Sequence, residues 1–326
     1  MKQITILIPA YNEEEVLPAL KETLVPILNS LTNYTFQVLF INDGSTDQTQ
    51  QILSKYQEED ERVEYIELSR NFGKEKAMLA GFDYADGDAV IIMDADLQHP
   101  PEMIKEMLYW WEQGYEDVFT VRKEKAEVNP FKRLASKMYY GLLEWMADGE
   151  VYKHAGDFRL LDRKCIEALK ELRENERNTK GLYAYIGFRK KELEYEESER
   201  VAGDTKWRLS ALTKLAIDGI TSYTTAPLRM WSIIGLLISL LSFIFLFIEL
   251  FKAFFYGSDV AGYPTLLAAI VFLGGIQLIS LGAIGEYLAR VFIETKGRPT
   301  YFVREISKKI EKKQTESETK SNEKTK

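Results

Sequence analysis

The sequence predicts an α/β protein, with a mostly parallel sheet covered by helices on both faces and followed by a pair of membrane-length apolar helices. Three observations carry this. Short apolar runs that stop at turn residues alternate with segments of helical spacing through the N-terminal third. Acid-rich polar clusters follow directly on those runs. Near the C-terminus, Met230 to Ile248 and Val260 to Gly285 hold nineteen and twenty-six residues without a charge.

Taken in order, Ile4 to Ile8 is a buried strand ended by Pro9, and Glu13 to Leu28 carries apolar residues at helical spacing. Phe36 to Ile41 is a second strand, stopping at Asn42-Asp43-Gly44. A helix is expected over Thr46 to Tyr56, with Ser45 as its N-cap. Strands at Val63 to Leu68, Ala89 to Met93 and Val118 to Val121 alternate with helices at Lys74 to Ala85 and Pro101 to Gln113. Such alternation builds a mostly parallel sheet with both faces buried. Pro130 to Met146 sets apolar and aromatic residues at helical spacing among Lys132, Arg133 and Lys137. That pattern suits the membrane surface and an ordinary domain helix equally; if it lies on the bilayer with Trp207 to Leu215, these are interfacial helices.

Each uncharged stretch is long enough to span a bilayer, since about 20 apolar residues cover ~30 Å of hydrocarbon. The connector from Glu249 to Asp259 has one Lys and two acids, whereas the segments outside the pair are net basic. Lys and Arg flank the cytoplasmic side, so the pair reads as a hairpin with both chain ends in the cytoplasm and the protein in the plasma membrane. The expected division is a cytosolic catalytic domain over 1–228, the hairpin over 229–289 with spans near 230–250 and 263–286, and a basic cytosolic tail over 290–326 that ends in disorder. Gly274, Gly275, Gly282 and Gly285 line the second span with small residues, which permits a homo-oligomer.

Composition narrows the function. With 46% apolar residues in 326, the chain is an ordered globular one, and the single Cys165 excludes a disulfide scaffold. No cleavable signal opens it, so a reducing, cytosol-facing body is expected. The net charge of −8 divides into −13 before Tyr287 and +5 from there on. An acidic body argues against nucleic-acid binding. Two histidines and one cysteine cannot build the usual zinc site, so any metal is held by carboxylate or amide oxygens.

In open sheets ligands bind beyond the carboxyl ends of the strands. Four clusters stand there: Pro9 to Glu13, Asn42 to Asp47, Ser69 to Gly73 and Asp94 to Gln98. There is no G-x-G and no phosphate-loop signature, which disfavours dehydrogenases and P-loop enzymes. Asp-x-Asp occurs twice, and position separates the two. Asp86 and Asp88 precede the fourth strand as a turn. Asp94 and Asp96 follow it, where two acids repel unless a cation sits between them. Mg²⁺ or Mn²⁺ held by these carboxylates, with Gln98 as an amide ligand, fits oxygen-only ligation.

Three segments, Ile8-Pro9-Ala10-Tyr11-Asn12-Glu13-Glu14, Asn42-Asp43-Gly44-Ser45-Thr46-Asp47 and Asp94-Ala95-Asp96-Leu97-Gln98-His99-Pro100-Pro101-Glu102, together with the hairpin, resemble family 2 inverting glycosyltransferases with a GT-A fold. More narrowly, the chain from Lys2 to Tyr301 is similar to polyprenyl-phosphate glycosyltransferases of the dolichol-phosphate-mannose-synthase-like branch, of the bacterial type with two C-terminal spans. The resemblance implies a Rossmann-like GT-A domain in which Pro9, Tyr11 and Glu13 line the nucleoside pocket and Asp43 pairs with the base. It also implies that Asp94, Asp96 and Gln98 hold the metal on the donor diphosphate. Gly156-Asp157-Phe158-Arg159 resembles the acceptor-side motif, and Arg200 with Gly203-Asp204-Thr205-Lys206 resembles the basic phosphate-binding segment, where Gly-Glu-Ser-Lys is more usual.

The chemistry follows from charge. Departure of a nucleoside diphosphate builds negative charge that a cation stabilises, and Arg122, Arg133, Arg200 and Lys206 are candidates for further clamping. Asp157, Asp96 and Arg159 are the candidate catalytic residues; Asp157 is either a base or a group that orients the acceptor or Arg159. The Gln-x-x-Arg-Trp motif of processive synthases is absent, so one sugar is expected to move once. The expected reaction is transfer from a nucleotide sugar, UDP-glucose or UDP-N-acetylglucosamine, to undecaprenyl phosphate. The competing readings are transfer to a glycerolipid or polysaccharide, and a silent binding module at the membrane.

Overall fold

The structure, a computed structural model, describes residues 1–122, 155–175, 177, 179–195, 262–307, 309 and 310, and the single positions 244, 251 and 255. Within these the strands are β1 (Lys2–Ala10), β2 (Tyr34–Asn42), β3 (Val63–Leu68), β4 (Ala89–Ile92), β5 (Asp117–Arg122), β6 (Ala155–Asp162), β7 (Lys190–Tyr195) and β8 (Val303–Ile306). The helices are α1 (Leu17–Ser30), α2 (Thr49–Glu59), α3 (Lys74–Tyr84), α4 (Met103–Glu112), α5 (Arg163–Glu171), α6 (Thr179–Tyr185) and α7 (Tyr263–Thr295).

All eight strands join one sheet in the order β7-β5-β6-β4-β1-β2-β3-β8. The centre, β4-β1-β2-β3, is parallel throughout. The expected parallel sheet is therefore its core, but β6 runs antiparallel to β4 and β5, and β8 antiparallel to β3. The result is a mixed sheet. Alternation along β1 shows why both faces are apolar: Ile4, Ile6 and Ile8 enter one buried cluster with α1, α2 and α4, while Leu7 enters the other with α3, α5 and α6. Burying each such side chain contributes about 1.5–3 kcal/mol. Gly81 allows the tightest contact, because a Cβ there would lie 2.2 Å from Leu7 Cδ1.

The expected N-cap of α2 is corrected. Ser45 stands four residues before the helix, with its Oγ accepting the Asn12 N–H at 2.9 Å. Asp47 is nearer, and its Oδ1 accepts the Thr49 N–H at 3.0 Å.

By contact the chain divides into two units: residues 1–144, 148–207 and 299–326, and residues 145–147 and 208–298. The first contains the sheet. It includes β8, which lies in the segment expected as a tail: Val303 pairs with Leu68, Ile306 with Ile66, and Ile310 is buried in the core. An apolar alternation of only four residues among charges left no strand signal. The second unit contains α7, a helix of 33 residues that starts where the second span was expected and continues to Thr295. Among the described residues no helix is long and apolar enough to cross a membrane. The first expected span apart from Ile244, the Pro130 to Met146 and Trp207 to Leu215 segments, and the tail beyond residue 310 lie outside the described residues.

Candidate active site

The carboxyl ends of the central strands are knitted by their own side chains. Asn12, just past β1, adopts φ 56° and accepts the Thr46 N–H on its Oδ1 at 2.8 Å, fixing the loop after β2. Glu13 N–H donates to Thr49 Oγ1, and Glu14 Oε2 accepts from Gln48 N–H. Asp43, 3% exposed, accepts the N–H groups of Phe72 and Gly73 at 2.8 Å on its two oxygens. Burial raises its pKa, against the pull of those two N–H groups and of Arg70. This grip fixes where α3 begins. Gly44, at φ 66°, permits the close approach, since a Cβ there would lie 2.4 Å from the Arg70 carbonyl carbon.

Past β4, Asp94 and Asp96 flank Ala95, and Asp96 Oδ1 accepts the Gln98 N–H at 3.1 Å. Leu97 between them sits at φ 56°, a conformation that costs a branched side chain roughly 1–2 kcal/mol and is tolerated where the surroundings fix it. Because β6 is antiparallel to β4, its first residues meet this loop, and Asp157 faces Asp94. Lys74, the first residue of α3, lies between them. Its Nζ is 2.6 Å from Asp94 Oδ1 and 2.9 Å from Asp157 Oδ2. His99 packs on Phe158 with ring centroids 5.1 Å apart, and its Nε2 is 3.7 Å from Asp94.

Burial opposes the charge on Asp94, but His99 and the Lys74 ammonium outweigh it and hold the carboxyl well below the usual range. Burial likewise disfavours the Lys74 charge, and Asp94 and Asp157 reverse that, holding the ammonium above the ordinary lysine value. Asp157 Oδ1 is buried with no hydrogen-bond partner among the described residues.

The glycosyl transferase family 2 pattern matches residues 5–170, which spans β1 through most of α5. The chain belongs to glycosyl transferase family 2. Full-length relatives agree. The chain is 43% identical over 305 residues to an uncharacterized glycosyltransferase of Synechocystis, covering 93% of this chain and 95% of the relative. It is 39% identical to the prophage bactoprenol glucosyl transferase homolog of Escherichia coli, covering 94% and 100%. It is 38% identical to the bactoprenol glucosyl transferase of Shigella phage SfV, again covering 94% and 100%.

The transferase gathers only part of the expected residue set. Pro9, Tyr11, Glu13 and Asp43 stand at the β1 and β2 ends, with Tyr11 44% exposed, and Asp94, Asp96, Gln98 and Asp157 stand at the β4 and β6 ends. Arg159 is buried, 3% exposed: its Nη1 is 3.1 Å from Asp117, its Nη2 donates to Gly156 O, and its guanidinium lies 3.6 Å from the Tyr183 ring centroid. Two residues along a strand return to the same face, but one step deeper, so Arg159 supports the strand that presents Asp157. Arg133, Arg200 and Lys206 lie outside the described residues, as does the side chain of Arg122.

Lys74 is the residue that sequence reasoning missed. It stood in the segment after the third strand, directly following Gly73, and a lone lysine at a helix start carries no signal of its own. The placement of Asp43 and Asp94 gives it one. Glu75 was missed as well; its Oε2 accepts from Thr179 N–H at 2.8 Å and from the Thr179 hydroxyl, and burial raises its pKa.

Proposed function

We propose that this transferase moves one glycosyl residue, with inversion, from a UDP-sugar, UDP-glucose or UDP-N-acetylglucosamine, to a polyprenyl phosphate such as undecaprenyl phosphate at the cytosolic face of the plasma membrane. The observation that carries it is the pairing of Asp94, at the donor end of β4, with Asp157, at the start of β6, across one ammonium. Donor-side and acceptor-side acids share one floor. The names of relatives 38–39% identical over nearly their whole length support a bactoprenol-type acceptor.

The donor set fits a hard divalent cation. Asp94 and Asp96 offer carboxylate oxygens and Gln98 an amide oxygen, and among the described residues no group of three or more His, Cys, Asp or Glu side chains could hold an ion without help. Two acids plus the oxygens of a substrate diphosphate are what Mg²⁺ or Mn²⁺ takes. Bound there, the cation would supply charge neutralisation for the departing diphosphate. The protein's own residues do the rest. Asp43 and Gly44 hold the loops that frame the nucleoside pocket, and Leu97 aims the acidic loop. Asp157, held by Lys74, is the acid of the acceptor-side motif. A phosphate monoester acceptor is largely dianionic at neutral pH, because its second pKa is near ~6, so Asp157 serves by orienting more than by removing a proton.

Membrane attachment is part of the same reading. Along α7, Leu266, Ile270, Leu281, Ile284 and Leu288 are each at least half exposed, and lipid is the surrounding that such a side-chain set suits. Recruiting the lipid acceptor then needs no departure of its tail from the bilayer. The test is a panel of nucleotide sugars offered to membranes with undecaprenyl phosphate or diacylglycerol, the products identified by mass. A hexosyl or N-acetylhexosaminyl polyprenyl phosphate is expected; a glycosyl diacylglycerol would overturn the acceptor assignment. Release of the chain by alkaline carbonate, without detergent, would overturn the membrane assignment.

A further inference from the structure

The Lys74 ammonium is held from both sides. Besides Asp94 Oδ1 and Asp157 Oδ2 it lies 2.9 Å from Asp94 Oδ2, so it engages both oxygens of the carboxylate assigned above to the divalent cation. Its place is not adjustable by the backbone. Asp43 fixes the N–H groups of Phe72 and Gly73, and Glu75 is tied to Thr179, so α3 starts at one position and delivers Nζ to one place. Two cations crowded onto one carboxylate repel, and the repulsion is largest where water is scarce. A nucleoside diphosphate brings the negative charge that offsets it.

We propose that Lys74 is a positioning residue that acts as a resident counter-ion: in the donor-free enzyme it competes with the divalent cation for Asp94, and it thereby makes metal uptake conditional on the donor diphosphate. On uptake the ammonium leaves Asp94 and keeps the contact with Asp157 that it already makes. Without this counter-ion Asp94, Asp96 and Asp157 would concentrate three acids at one crevice. This inference rests on the metal assignment of Asp94 and Asp96.

The experiment is Mn²⁺ binding to the full-length protein, followed by electron paramagnetic resonance, with and without UDP and with no sugar transfer involved. Wild type is expected to bind Mn²⁺ weakly alone and more tightly with UDP. In Lys74→Met and Lys74→Gln, Mn²⁺ binding without UDP should tighten by about tenfold or more, as removal of a unit charge a few Å away requires. The gain from adding UDP should shrink correspondingly, since coupling between two ligands is reciprocal. Lys74→Arg, which keeps the cation, should behave as wild type. Unchanged or weaker UDP-free Mn²⁺ binding in both neutral variants overturns the proposal while leaving the metal assignment intact. No Mn²⁺ binding by wild type even with UDP overturns the metal assignment, and the proposal with it. Should neither neutral variant melt cooperatively, the wild-type protein decides: Mn²⁺ alone should increase acylation of the Lys74 amine, read by mass spectrometry, and unchanged acylation counts against the competition.

Discussion

Arg159 and Asp94 show how differently two charged residues of one site are used. Arg159 and Asp117 form a buried ion pair with side chains 3% and 1% exposed. Removing one partner strands the other, which costs about 3–5 kcal/mol. Arg159→Met is therefore expected to lower the melting temperature sharply and to reduce activity through loss of folded protein; full stability with selective loss of kcat would place Arg159 at the reacting centre. In the proposed function Asp94 carries its charge for the chemistry. Asp94→Asn should reduce turnover at least about a hundredfold, the order found when a group stabilising transition-state charge is removed, with the fold retained.

The pH dependence follows from the same cluster. A carboxyl held below its ordinary value stabilises the fold above the unfolded pKa and loses that contribution as pH falls through the folded one. Lys74 is the mirror case, contributing below the ordinary lysine value and losing its contribution as pH rises through the raised one. Wild-type stability measured by denaturation should thus fall more steeply below about pH 4 than that of Asp94→Asn. Equal acid slopes would mean that Asp94 is not held by Lys74 in solution.

Among the elements, the loops after β2 and β3 carry the most exact requirement. Gly44 combines φ 66° with a position where a Cβ would lie 2.4 Å from Arg70 backbone, which cannot yield as a side chain does. Gly44→Ala should cost about 1–3 kcal/mol in backbone strain and spread the loops that Asp43 joins, raising KM for the donor more than it lowers kcat. An unchanged donor KM would contradict the role given to that contact. The central strands and α1 to α4 were legible because their apolar periodicity is uninterrupted and each ends in a turn cluster. Strands β6, β7 and β8 were not, for separate reasons. In β6 the apolar run is broken by Asp157 and Arg159, which are explained only by partners far along the chain. In β7, Lys190 to Tyr195 alternates charge with two buried apolar residues, Leu193 and Tyr195. In β8 pairing depends on β3 across more than two hundred residues, and Tyr65 hydroxyl to Glu305 at 2.7 Å and Arg304 to Glu67 at 2.8 Å appear only once the chain has returned.

Of the candidate site, the Asp94 and Asp96 motif and the Asn42 to Asp47 cluster were legible because chemistry and strand position coincide there. Lys74 was not, because its meaning lies in two acids from other strands.

At the scale of the whole molecule, the proposed function joins these parts: a family 2 glycosyl transferase crevice with Asp94 and Asp96 on the donor side and Asp157 on the acceptor side would load sugar onto a polyprenyl phosphate with a divalent cation at Asp94 and Asp96. The measurement that addresses the claim most directly is incorporation of radiolabelled sugar from a UDP-sugar into solvent-extractable lipid by membranes supplied with undecaprenyl phosphate, before and after removal of divalent ions with EDTA. Label should enter an acid-labile lipid, stop on chelation and resume when Mg²⁺ or Mn²⁺ is restored. Undiminished incorporation after complete chelation would contradict the account.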